Sequence, residues 1–143
     1  MAIKQISVFL ENKTGRLAKV AGELKNHQIN IRALTIADTS DFGILRMIVN
    51  KPDQAYDILK KAGFTVHESD ILAIEIDDKE GVFHALMELC DANNLNIEYT
   101  YSFVEQYSNK AILFLRFEDN DKAVALFRSH GYKLLADEEV RKI

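Results

Sequence analysis

Apolar residues alternate along residues 3–10: Ile6, Val8 and Leu10 fall on one face, Ser7 and Phe9 on the other. Such alternation predicts a strand. The polar stretch 11–15 interrupts it, and Leu17, Val20, Ala21 and Leu24 then recur at the spacing of a helix packed on a sheet. Residues 26–28 close that helix. Residues 29–37 read as a second strand, 38–41 as a turn and 42–50 as a third strand. Pro52 suits the first turn of a second helix carrying Ala55, Ile58 and Leu59. Gly63 suits its C-terminal stop, and residues 64–68 read as a fourth strand.

The same pattern then runs again. Asn12, Gly15, Leu17, Val20, Leu24 and Asn30 are followed, each 66 residues later, by Asp78, Gly81, Phe83, Leu86, Cys90 and Asn96. Gly131 follows Gly63 by 68 residues, and the two-residue excess fits a longer hairpin around residues 105–109. Self-similarity at this period fixes architecture before any single motif is read. Each copy has the order β-α-β-β-α-β. With right-handed crossovers that order folds as a split βαβ sandwich. The expected fold class is therefore α+β: two ferredoxin-like units with antiparallel sheets, packed together, over residues 1–68 and 69–143. The join, His67–Asp70, has no Pro or Gly and predicts a rigid connection. Residues 138–143 read as a charged tail. The strand 111–117 is apolar on both parities, which predicts cover on both faces, from the other copy or another chain.

Composition narrows the partners. The chain has 143 residues, 48% hydrophobic and 28% charged, as expected of an ordinary globular protein. Its formal net charge of −4 announces no basic surface for nucleic acid or an anionic membrane. No apolar run approaches the ~18 residues of a membrane span, and the N-terminus reads as a strand instead of a signal peptide. The lone Cys90 excludes an intrachain disulfide and a cysteine-held zinc. A reducing, cytoplasmic setting is the expectation.

Little here suggests catalysis. His84 and Glu88 stand four apart on one helical face, where an exposed polar surface accounts for them. Cys90 falls on an apolar stripe and reads as a small core residue. Asp77 and Asp78 read as a solvated loop near a helix start. No Ser, His and acid share a catalytic spacing. The third strands lack the exposed aromatic and basic residues of an RNA-recognition surface, and no Cys-x-x-Cys loop exists for copper. No catalytic group, metal or cofactor is expected.

The positive signal is the loop Asn12-Lys13-Thr14-Gly15-Arg16-Leu17. The first N–H groups of a helix lack intrahelical partners, and the dipole makes that end attractive to a carboxylate. Gly15 permits close approach. Asn12 and Asn30 each offer a donor and an acceptor, matching a zwitterion. Simple capping by Thr14 and Asn12 is the competing structural reading.

The run Val8-x-Leu10-Glu11-Asn12-Lys13-Thr14-Gly15-Arg16-Leu17, with Ile29-Asn30-Ile31 centred fifteen residues after the glycine, resembles the ACT domain family of amino-acid-sensing modules. The resemblance covers nearly the whole chain, twice. The serine-binding ACT domain of phosphoglycerate dehydrogenase carries Asn at the two positions that fall here on Asn12 and Asn30. A ligand-contacting histidine of that domain falls on Leu10, which argues against serine. The resemblance implies ligand contacts at Asn12, Lys13, Thr14, Gly15, Arg16, Leu17, Asn30 and Ile31, and in the second copy at Asp78, Gly81, Val82 and Asn96. Asp78 in place of Asn12 and Glu80 in place of Thr14 add negative charge, unfavourable for a carboxylate. The expected protein is a free-standing, non-catalytic amino-acid sensor. It is a homodimer with ligand at the interface between units, acting on a metabolic enzyme. The alternative is a ligand-free dimerising or enzyme-docking subunit.

Overall fold

A computed structural model describes residues 2–38, 41–104 and 108–143. The elements in chain order are β1 (Ile3–Glu11), α1 (Arg16–Asn26), β2 (Ile31–Asp38), β3 (Phe42–Val49), α2 (Pro52–Lys61), β4 (Thr65–Asp77), α3 (Val82–Ala92), β5 (Ile97–Val104), β6 (Lys110–Phe117), α4 (Asn120–Ser129), β7 (Lys133–Leu134) and α5 (Asp137–Arg141). The chain divides into two compact units. One comprises Lys4–Ser69 with Glu138–Ile143; the other comprises Asp70–Asp137 with the start of β1. Each is an α+β sandwich of the β-α-β-β-α-β kind.

In the first unit the strands lie in the order β2-β3-β1-β4. Antiparallel pairing sets Ile6 opposite Met47, and Ile36 opposite Leu45. The core is the inner face of this sheet closed by α1 and α2: Ile6, Val8, Leu10, Leu45 and Met47 meet Val20, Leu24, Ala55 and Leu59, all buried. The second unit orders its strands β4-β6-β5, with β7 on β4. Ile74, Leu113 and Leu115 meet Leu86, Cys90, Ala123 and Phe127 there.

Three local features depart from the sequence pattern. Residues 65–77 form one strand, so His67–Asp70, the expected join between the copies, lies within β4. With no Pro or Gly to break it, an extended chain continues. The last strand shrinks to Lys133–Leu134. Residues 138–143 are no loose tail: α5 buries Val140 completely, and the Arg32 Nε–H donates to the Arg141 carbonyl at 2.9 Å. The expected turn at 38–41 and hairpin at 105–109 fall partly outside the described residues.

The apolar residues of β6, Ala111, Ile112, Leu113, Phe114, Leu115 and Phe117, are all buried. Tyr101 and Phe103 of β5 stack on Phe114 from the same unit, at 5.2 and 5.9 Å between ring centres.

Candidate functional site

Both helices that follow the first strand of a unit start the same way. Gly15 (φ +91°) and Gly81 (φ +83°) sit at the N-caps in the left-handed region, and no side chain caps either helix. Thr14 therefore does not cap α1. Lys19 N–H donates to the Gly15 carbonyl at 3.0 Å, and Ala85 N–H to the Gly81 carbonyl at 3.0 Å. By contrast, α4 is capped by Asp119, whose carboxylate accepts from Lys122 N–H at 3.1 Å. The left-handed glycine turns the chain sharply into the helix, leaving its first-turn amides without a local side-chain acceptor.

This start overhangs the end of the sheet. Leu17 was expected to belong to the buried stripe, yet it is 46% exposed, as is its counterpart Phe83. Only Val20 and Leu24 of the α1 stripe are buried. Leu17 instead lines a cleft of about 310 Å³ with Leu10, Glu11, Asn12, Lys13, Arg16, Ile36 and Gly43. Asn12 is held by its backbone, whose N–H donates to the Asp41 carbonyl at 2.8 Å. Lys13 pairs with Glu11 at 3.0 Å, and this contact lowers the Glu11 carboxyl below its ordinary range. The Arg16 guanidinium lies 5.0 Å over the Phe64 ring. Its Nε is shielded from solvent without a hydrogen-bond partner. The cleft thus combines an open helix start, a cation and an amide with an apolar wall.

Asn30 and Ile31 are not part of this cleft within one unit. Asn30 precedes β2, its N–H donating to Asn50 Oδ1 at 2.9 Å, while Ile36 reaches the cleft near the other end of that strand. Six residues of strand separate the two, about 20 Å. Ile31 is half-buried against the first core.

The second unit repeats the geometry with different side chains. A cleft of about 320 Å³ is lined by Ile76, Asp77, Asp78, Lys79, Phe83, Thr100, Tyr101, Ser102, Ala111 and Leu113. Asp78 N–H donates to the Asn109 carbonyl at 2.7 Å. Lys110 pairs with Asp77 through a short contact that lowers the Asp77 carboxyl and raises the Lys110 ammonium. Gly81, Val82 and Asn96 occupy the positions of Gly15, Arg16 and Asn30, and Val82 and Asn96 do not line the cleft.

Ile36, Glu11 and Gly43 were not singled out in the sequence. The period-two pair Leu34 and Ile36 was visible, but its exposure, 51% and 47%, depends on β2 lying at an edge of its unit. His84 Nε2 meets Glu88 Oε1 at 2.9 Å on an exposed face of α3. Among the described residues no three His, Cys, Asp or Glu side chains gather to hold a metal, and no helix is long and apolar enough to cross a membrane. Burial raises the Cys90 thiol above its ordinary value.

The whole chain, residues 1–143, matches the family described as an ACT domain pair. The protein belongs to that family. Over the full ACT pair, a crystal structure of a protein from Bacteroides thetaiotaomicron is 38% identical, with a TM-score of 0.95, covering 100% of this chain and 98% of that one. The acetolactate synthase small subunit of Buchnera aphidicola subsp. Baizongia pistaciae (strain Bp) is 29% identical over 96 residues. That match takes in 66% of this chain and 59% of the subunit, so the ACT pair spans about three fifths of that relative. The regulatory subunit of aspartate kinase from Thermus thermophilus shares the fold at 17% identity and a TM-score of 0.67, covering 87% of this chain and 88% of that one.

Proposed function

We propose that this ACT pair is a non-catalytic regulatory protein that senses an amino acid in the cleft between residues 12–17 and β2. The observation that carries the proposal is the cleft itself. A glycine-started helix offers its amides and dipole to a carboxylate, and Leu10, Leu17 and Ile36 offer an apolar wall to a side chain. The wall favours an aliphatic amino acid over serine.

The missing half of the site is supplied by a second copy of the chain. β2 is an edge strand with exposed Leu34 and Ile36, whereas the matching edge β5 carries Thr100 and Ser102 at those positions. Two β2 strands paired antiparallel about a two-fold axis near Ala33 set Asn30 of one copy opposite Ile36 of the other. That pairing closes the cleft and delivers the second amide. Ligand binding then favours one arrangement of the dimer, and a partner enzyme reads it. The names of the acetolactate synthase and aspartate kinase relatives support an enzyme of amino-acid biosynthesis as that partner.

Thermal shift with each L-amino acid tests this. A ligand at 100 times its dissociation constant adds about 2.7 kcal/mol. Asn12→Ala and Asn30→Ala are expected to abolish the response. No stabilisation by any amino acid, with an intact dimer that still co-purifies with an enzyme, would favour a ligand-free docking subunit instead.

A further inference from the structure

The two clefts have nearly the same backbone. The helix-start glycines differ by only a few degrees, and the loop amides of Asn12 and Asp78 make the same hydrogen bond at 2.8 and 2.7 Å. The volumes are about 310 and 320 Å³. Size therefore does not distinguish them as receptors for a small ligand.

Charge does. Glu11 is taken up by Lys13, and Asp77 by Lys110. With those pairs set aside, the first cleft keeps the cation Arg16 and the neutral Asn12. The second cleft keeps Asp78 and Lys79, and its lining has no counterpart of Arg16, whose place in the sequence falls to Val82. A carboxylate entering the first cleft meets a positive helix end and a cation. Entering the second, it meets the same helix end with Asp78 and Lys79 offsetting each other, so the net positive charge of the first cleft is missing and the Asp78 carboxylate repels it. The wall also changes: Ser102 stands where the first cleft has Ile36, while Ile76, Phe83 and Leu113 keep the rest apolar.

We infer that the ACT pair binds one amino acid per chain, in the first unit, and that Asp78 keeps the second cleft from taking it. Asp78 is thus a specificity-determining residue that acts by exclusion. The inference rests on the amino-acid-sensing reading above and adds to it the stoichiometry and its cause.

The test follows the Gly15 and Gly81 backbone amides by NMR while L-amino acids are titrated singly into the full chain, with calorimetry for stoichiometry. For any amino acid that binds, Gly15 is expected to shift to saturation and Gly81 to stay still, at one ligand per chain. Asn12→Asp combined with Arg16→Val is expected to weaken binding about tenfold or more with the thermal midpoint retained. Asp78→Asn is expected to bring Gly81 into response to the same ligand. Equal saturation of both glycines in the native chain, unchanged affinity in the altered first loop, or a silent Gly81 in a folded Asp78→Asn chain overturns the inference while amino-acid sensing stands. Failure of both amides to respond to any amino acid overturns the sensing reading itself. If a variant does not fold, the native stoichiometry decides, one supporting the inference and two refuting it.

Discussion

Asn12 and Asp78 make the same backbone hydrogen bond, to the carbonyls of Asp41 and Asn109, at 2.8 and 2.7 Å. The two residues hold equivalent places in two equivalent loops, and their side chains differ by one charge. Scaffold and chemistry have separated at this position: the fold preserves the loop while the side chain changes its charge.

The helix-start glycines are there for the backbone. A Cβ at Gly15 would meet nothing within 4 Å, yet φ is +91°. Gly15→Ala is therefore expected to cost about 1–2 kcal/mol through left-handed strain alone. Gly22 lies inside α1, also in open space and without a positive φ. Gly22→Ala is expected to stabilise by about 1 kcal/mol. Urea unfolding of the two variants gives shifts of opposite sign.

Leu59 and Leu17 separate packing from function. Leu59 is wholly buried in the first core, and Leu59→Ala is expected to cost about 2–5 kcal/mol. Leu17 is exposed at the cleft. Leu17→Ala is expected to change stability by about 0.5 kcal/mol or less, while lowering the affinity for an aliphatic amino acid in calorimetry.

Asp77 titrates below its ordinary value because Lys110 bonds its charged form. A lowered carboxyl stabilises the fold above the unfolded-state value, and that contribution disappears as pH falls through the folded value. An NMR titration is expected to place the Asp77 midpoint below 3.8. In Lys110→Met it moves up toward the ordinary range. Both groups are exposed, so added salt narrows the difference.

Cys90 is shielded by the second core, and burial favours its neutral thiol. The raised value means that its contribution to stability is complete below the unfolded thiol's value and is lost as pH rises toward the folded one. A thiol reagent at neutral pH is expected to leave the folded chain unmodified and to react at the rate of unfolding.

The C-terminal segment groups with the first unit and buries Val140. Val140→Asp places a charge where the side chain is fully buried and is expected to cost about 2 kcal/mol or more. Hydrogen exchange is expected to rise along β2, where Arg32 bonds the Arg141 carbonyl.

The doubled apolar pattern determined the fold class, the two-unit organisation and the place of the loops. Periodicity reports local structure directly, and Val20, Leu24, Leu86 and Cys90 took their core positions from it. The loop around Asn12 and Gly15 could be picked out because its residue types are unusual at that spacing. What the sequence could not determine were properties of whole sheets. Leu34 and Ile36 look like core residues until topology leaves β2 at an edge. Asn12 and Asn30 look like partners until the strand sets them at opposite ends. His67–Asp70 looks like a linker until β4 runs through it, and the segment 138–143 looks like a solvated tail until folding buries Val140. Each of these depends on contacts between residues far apart in the chain, and such contacts leave no period in the sequence to be read.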